Sequence, residues 1–135
     1  MVLEKTFAAE VDLLPDVLAY LDSALEENDC NMKAQMQLDI AVEEIFVNIA
    51  HYAYTPNKGD ANIRLEFVED YVEITFVDHG MYFDPVSKED PDITAKAEDR
   101  DIGGLGIYMV KRSMDKVAYE RLDNANVLKI RKKIR

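Results

Sequence analysis

Two stretches of this chain alternate apolar and polar residues and then double back. Residues 61–68 (ANIRLEFV) and 71–78 (YVEITFVD) alternate on either side of Glu69-Asp70, and residues 116–122 and 126–134 do so around Asp123-Asn124. A period of two makes half-buried strands, and the short breaks between them close hairpins. Two hairpins commit the chain to a sheet with one wet face and one dry face, and the dry face needs a cover. Helical periodicity supplies it. Residues 11–28 set Leu14, Val17, Leu18, Leu21 and Leu25 on one face, and Asn31 is placed to cap a longer helix over about 32–53. Residues 2–8 (VLEKTFA) read as a further strand, and a third helix is expected over about 104–114. The order β-α-α-β-β-loop-α-β-β predicts an α+β fold, a two-layer α/β sandwich whose sheet is mixed but mainly antiparallel, with the helices on one face. The 135 residues suit a single domain, 1–135. Residues 84–101 have no periodicity, two prolines and seven acids, and a loop of that length is usually a lid or a binding segment.

Charge narrows the classes of partner. Residues 1–110 hold 24 acids against 7 bases, whereas residues 111–135 hold 3 acids against 9 bases. The broad acidic surface repels nucleic acid and favours electropositive protein partners. The basic end, KIRKKIR, alternates: Leu128 and Ile130 share one face, and Lys129, Arg131 and Lys133 share the other. That reads as the solvated face of an edge strand rather than a nucleic-acid patch. No apolar run approaches the ~18 residues of a membrane span. The acidic N-terminus has no signal-peptide pattern, so a cytoplasmic location is expected. Cys30 is the only cysteine, which excludes an internal disulfide and a cysteine-rich zinc site, and packing is its expected role.

Three segments carry polar groups where packing alone does not ask for them. In AVEEIFVNIAHYAY (41–54), Leu38, Val42, Ile45 and Ile49 form an apolar stripe, and Phe46, Val47 and Ala50 make much of the other side apolar as well. Glu44, Asn48 and His51 fall along one narrow line of this buried helix. The line is either a wet helix edge or a metal-and-base row facing a cleft, because a buried carboxylate and amide are costly without partners. In ITFVDHGMYFDP (74–85), Asp78 is in phase with Val72, Ile74 and Phe76, so the alternation points an acid inward at the end of a strand. Asp78 is either a turn starter before Gly80 or an acceptor for a donor group deep in a pocket. In IGGLGIYMV (102–110), three of the five glycines of the chain stand at 103, 104 and 106. A glycine-rich turn opening a helix offers free N–H groups to an anion such as phosphate, and the alternative is a turn with a tight packing contact.

Taken together and in order, Glu44-x-x-x-Asn48, Asp78-x-Gly80-x-x-Phe83-Asp84-Pro85 and Gly103-Gly104-Leu105-Gly106 resemble the Bergerat-type ATP-binding fold of gyrase B, Hsp90, histidine kinases and anti-sigma-factor kinases. The short length, the FDP segment and GGLGIYMVKRSMDKVAYER are most similar to the stand-alone anti-sigma-factor serine/threonine kinases. The resemblance implies ATP and Mg²⁺ as cofactors. By it, Asn48 coordinates the Mg²⁺ and Glu44 orients or deprotonates the attacking hydroxyl. Asp78 binds the adenine amino group, and Gly80 makes room for the base. Gly104, Leu105 and Gly106, with Gly103 before them, present N–H groups to the phosphates. His51, Tyr52, Phe83, Asp84 and Ile107 belong to the same nucleotide site. Loop 84–101 is the lid, with Lys96 and Arg100 as its phosphate contacts. The activity implied is phosphoryl transfer to a serine or threonine of an anti-sigma antagonist, alongside sequestration of a sigma factor, in a homodimer. Many of these kinases carry histidine where this chain has Tyr52, which leaves two alternatives open: a non-catalytic nucleotide-binding module, or an ATPase switch.

Overall fold

The computed structural model describes residues 1–86 and 102–135, with residues 102–105 described by their backbone alone. Five strands form one sheet: β1 (Val2–Ala8), β2 (Asp60–Val68), β3 (Tyr71–Asp78), β4 (Lys116–Leu122) and β5 (Ala125–Lys133), in the spatial order β1-β2-β3-β5-β4. The helices are α1 (Leu14–Glu27), α2 (Met32–Asn48) and α3 (Ile102–Ser113). Every strand pairing is antiparallel, so the parallel pair that a mixed sheet would contain is absent from the described residues.

Both hairpins form where the alternation places them. Asp123 and Asn124 take φ of 52° and 63°, the pair of left-handed residues that matches the twist of a two-residue hairpin. Along β2 the inward residues Ala61, Ile63, Leu65 and Phe67 are buried, while Asn62, Arg64, Glu66 and Val68 are not. The helices therefore cover one face. Phe46 and Leu38 of α2, Leu21 and Leu25 of α1, and Ile74 and Phe76 of β3 close the layer between them. Full burial of a side chain such as Phe46 contributes about 2–3 kcal/mol.

Two helix ends are tied to the last strand. Asn31 caps α2 by accepting from the Ala34 N–H at 2.8 Å, and its amide donates to the Ile134 carbonyl at 3.0 Å. At the far end of α3, Lys132 Nζ donates to the Ser113 carbonyl at 2.6 Å, where a cation also suits the helix dipole. Cys30 packs against the core with its thiol pKa raised, chiefly by burial and then by Asp39.

Three expectations are corrected. β5 is an inner strand, between β3 and β4, rather than an edge. Its basic residues face the uncovered side of the sheet and are engaged there: Lys129 lies 3.4 Å from Glu73, and the Arg131 guanidinium sits 4.1 Å from the centre of the Tyr71 ring. The long helix changes character after Asn48, where Ile49–Ala53 forms a π-turn. The glycines lie inside the first turns of α3 rather than in a turn before it. No glycine among the described residues has a positive φ, and what Gly106 provides is space.

Candidate active site

A crevice opens between the C-terminal part of α2, the end of β3, and β4–β5. Asn48, Tyr52, Asp78, Phe83 and Ile107 line it, so residues expected from separate segments meet at one place. Its floor is apolar, with Ile45, Ile49, Phe76 and Leu128.

Asp78 is 5% exposed. The strand alternation delivers it inward, and its Oδ1 accepts from the Gly80 N–H at 3.0 Å and from Asn126 Nδ2 at 3.0 Å. Asp78 thus ties its own turn and also lines the crevice. Gly80 is needed because the chain crosses the π-turn there. A Cβ on Gly80 would stand 2.2 Å from the Ala53 carbonyl oxygen, and the Met81 N–H donates to that oxygen at 2.8 Å. Phe83 lines the crevice, and Asp84 Oδ1 accepts from the Val86 N–H at 2.9 Å.

Glu44 and Asn48 lie one turn apart on α2. Asn48 Nδ2 donates to Glu44 Oε1 at 3.3 Å, which leaves the amide oxygen of Asn48 as its atom for a ligand. Burial raises the pKa of Glu44, the Asn48 bond opposes the rise, and neighbouring Glu43 adds to it. A carboxyl with a raised pKa is a better proton acceptor when ionised. Across from it, a Cβ on Gly106 would fall 2.2 Å from Glu44 Cδ and Oε1. The glycine of α3 thus makes room for the carboxylate of α2, and this was not readable from either motif alone. Glu44 is bonded to Asn48 but is not among the described residues that line the crevice.

His51 and Tyr52 part company. The π-turn takes one more residue per turn than an α-helix, so the regular line from Glu44 through Asn48 does not continue to His51. His51 is exposed and outside the crevice lining, whereas Tyr52 is in it. Gly103, Gly104 and Leu105 occupy the first turn of α3, whose leading N–H groups have no partner within the helix. Lys96 and Arg100, and most of the expected lid, lie outside the described residues. Asn126 and Tyr119 line the crevice and were missed. A signal for Asn126 was there, since it stands in phase with Leu128 and Ile130 on the inward face of β5.

Among the described residues no three His, Cys, Asp or Glu side chains cluster to hold a metal. The donor set at Asn48 fits Mg²⁺ bound mostly through ligand phosphates and water, which is how that ion is commonly held. No helix of the described residues is long and apolar enough to cross a membrane.

A sheet covered on one face, with a crevice between its last strands and a long helix, is the architecture of a nucleotide-binding ATPase domain. Residues 7–132 match the family described as the histidine kinase-like ATPase domain, and the chain belongs to that family. ATP use is implied by that membership. The chain is similar to the serine/threonine-protein kinase BtrW of Bordetella bronchiseptica, 25% identical over 114 residues that cover 84% of this chain and 80% of that protein. It is also similar to the serine-protein kinase RsbW of Bacillus cereus, 33% identical over 95 residues that cover 67% of this chain and 59% of that one. With RsbW of Bacillus velezensis it shares 35% identity over 85 residues, 59% of this chain and 53% of the relative. The chain thus spans less than two thirds of the RsbW proteins it matches.

Proposed function

We propose that this protein binds ATP·Mg²⁺ and transfers the γ-phosphoryl group to a serine or threonine of a partner protein, as a kinase of the anti-sigma type. The observation that carries the reading is the meeting of Asn48 and Asp78 in one crevice, with Glu44 bonded to Asn48. Asp78 accepts from the amino group of adenine over the apolar floor. The amide oxygen of Asn48 holds the cation, which neutralises phosphate charge when bound. The leading N–H groups of α3, at Gly103, Gly104, Leu105 and Gly106, receive the phosphates. Glu44 takes the proton of the attacking hydroxyl as its oxygen bonds to the γ-phosphorus and the bond to the ADP oxygen breaks. Such transfer depends mostly on positioning and charge neutralisation, so this small set suffices. The partners are an anti-sigma antagonist as substrate and a sigma factor as the sequestered protein, with the kinase as a homodimer in the cytoplasm; the names of BtrW and RsbW as serine kinases support the transfer step.

A second reading has its own observation. Glu44 and Asn48 satisfy each other and Glu44 is not in the lining, as suits a module that binds nucleotide without transfer. Two variants and γ-labelled ATP with the antagonist decide between them. Asn48→Ala is expected to lose Mg²⁺-dependent binding of a fluorescent ATP analogue. Glu44→Ala is expected to keep that binding and to lose label transfer. Transfer retained in Glu44→Ala refutes the base assignment, and nucleotide binding with neither transfer nor hydrolysis in the unaltered protein favours the module.

A further inference from the structure

The outer side of α2 carries apolar residues where a helix packed on a sheet is ordinarily polar. Its inner side, with Leu38, Val42, Ile45 and Phe46, is buried. Met32, Met36 and Ile40 follow one another a turn apart on the opposite side and are 78%, 60% and 59% exposed. Val47 continues the line, half-buried. The three exposed side chains together present on the order of 300 Å², the size at which an apolar patch on a monomer is often functional. None of them lines the crevice. Methionine is unbranched and adapts to the shape that meets it, which suits a surface that receives another chain.

One border of this stripe, the one toward α1, is acidic. Gln35 donates to Asp22 of α1 at 3.2 Å, and the Asp39 carboxyl meets the Asp22 carboxyl across the seam between the two helices. Glu26 of α1 and Glu43 of α2 add their repulsion. Among the described residues, no Lys or Arg forms an ion pair with any of these four acids. Asp39 Oδ1 is buried without a hydrogen-bond partner. Like charges held together without a counter-charge raise the energy of the free protein, and a cation brought from outside lowers it. The same charges sort the occupants of the stripe. A second copy apposed by this face would set acid against acid, and an anionic membrane surface is repelled. Residues 84–101 of this chain carry seven acids against three bases and are repelled as well. A cationic protein segment is drawn by every one of these groups.

We propose that the outer face of α2 is a docking surface for a basic amphipathic helix of a partner protein, whose apolar side covers Met32, Met36 and Ile40 and whose Lys or Arg residues lie toward α1, against Asp22, Glu26, Asp39 and Glu43. The stripe is the apolar core of such an interface and the acids are its rim. Apolar anchors a turn apart supply the affinity of helix-on-helix recognition, and complementary charge sets orientation and partner choice. Docking there needs no nucleotide.

The probe is a fluorescent synthetic helical peptide of about 18 residues, with Leu a turn apart on one side and Lys along one flank only. A second peptide has Glu in place of Lys, and a third has the residues of the first in an order without helical period. Fluorescence anisotropy reads affinity, and the NMR signals of isotope-labelled methionine methyls read the place. The basic helix is expected to bind and to shift Met32 and Met36, leaving Met81 at the crevice and the buried Met114 unmoved. The acidic and reordered peptides are expected to bind at least ~10-fold more weakly, and the basic one to weaken in ~0.5 M salt. Ile40→Glu is expected to cost at least ~10-fold, as loss of a central anchor does, and Glu43→Lys about 5-fold. Both positions are exposed, so both variants are expected to melt as the unaltered protein does. If Ile40→Glu does not fold, Met36→Glu carries the same expected loss. No binding at ~1 mM basic peptide, equal binding of all three peptides, shifts at Met81 in place of Met32 and Met36, or full affinity in the folded glutamate variant overturns the inference. So do concentration-dependent shifts of Met32 and Met36 without peptide, which mark a second copy as the occupant. The same shifts on adding phosphatidylserine vesicles mark a membrane and overturn it too.

Discussion

Replacing Gly106 with alanine is expected to lower transfer while leaving stability nearly unchanged. The added Cβ would stand 2.2 Å from Glu44 Cδ and Oε1 and 2.5 Å from Oε2. Carbon and oxygen atoms sit comfortably only beyond roughly 3.5 Å, so the carboxylate must retreat by about 1 Å or more. It can, because it ends a flexible side chain. The retreat stretches the Asn48–Glu44 bond, already 3.3 Å, past its limit. A misplacement of about 1 Å in a reacting group costs on the order of 100-fold in rate. Stability moves little. Gly106 lies within α3 at an ordinary helical φ, so alanine gains about 1 kcal/mol of helix propensity, and the lost hydrogen bond returns about as much. Nucleotide affinity is expected to hold, since the backbone N–H groups of α3 stay in place. Label transfer from ATP, titration with a fluorescent nucleotide and a thermal melt read the three quantities. Transfer at the unaltered rate would show that Glu44 does not act from its observed position. A melting temperature lower by about 10 °C would show that α3, rather than the carboxylate, gives way.

Gly80→Ala is expected to behave differently, because its Cβ meets the Ala53 carbonyl oxygen at 2.2 Å and backbone cannot swing aside. A loss of about 2–3 kcal/mol in a denaturant titration is the expected outcome, and an unchanged midpoint would refute the close approach. Asp39 gives a pH dependence. Its pKa is raised to about 7, chiefly by burial, then by the Asp22 carboxyl, with Glu26 and Glu43 adding repulsion. Its Oδ1 is buried without a hydrogen-bond partner. A raised carboxyl pKa in the folded state means that stability is greatest below the unfolded value, near 4, and falls as pH rises through 7. Asp39→Asn removes that loss, so its melting temperature is expected to exceed that of the unaltered protein at pH 8 and to match it near pH 4. An equal gain at both pH values would refute the electrostatic cause.

Much of the fold was legible because its determinants are local. Alternation fixed which face of β2, β3 and β5 is dry, the left-handed pair Asp123-Asn124 fixed one hairpin, and Asn31 announced the start of α2. The inward aim of Asp78 came from the same period of two. The neighbours that each element meets were decided only in three dimensions. Nothing in KIRKKIR tells an inner strand from an edge, because charged residues on the uncovered face look alike in both. The π-turn that parts His51 from Tyr52 arises where α2 passes the turn at Gly80, two segments almost thirty residues apart. Gly106 reads as a phosphate glycine by motif, yet its lack of a side chain is filled by Glu44 from another helix. Sequence period determines the direction in which a side chain leaves its own backbone; only packing determines what stands in that direction, and the hydrogen bonds of Asp78, Asn126 and Glu44 depend on the second.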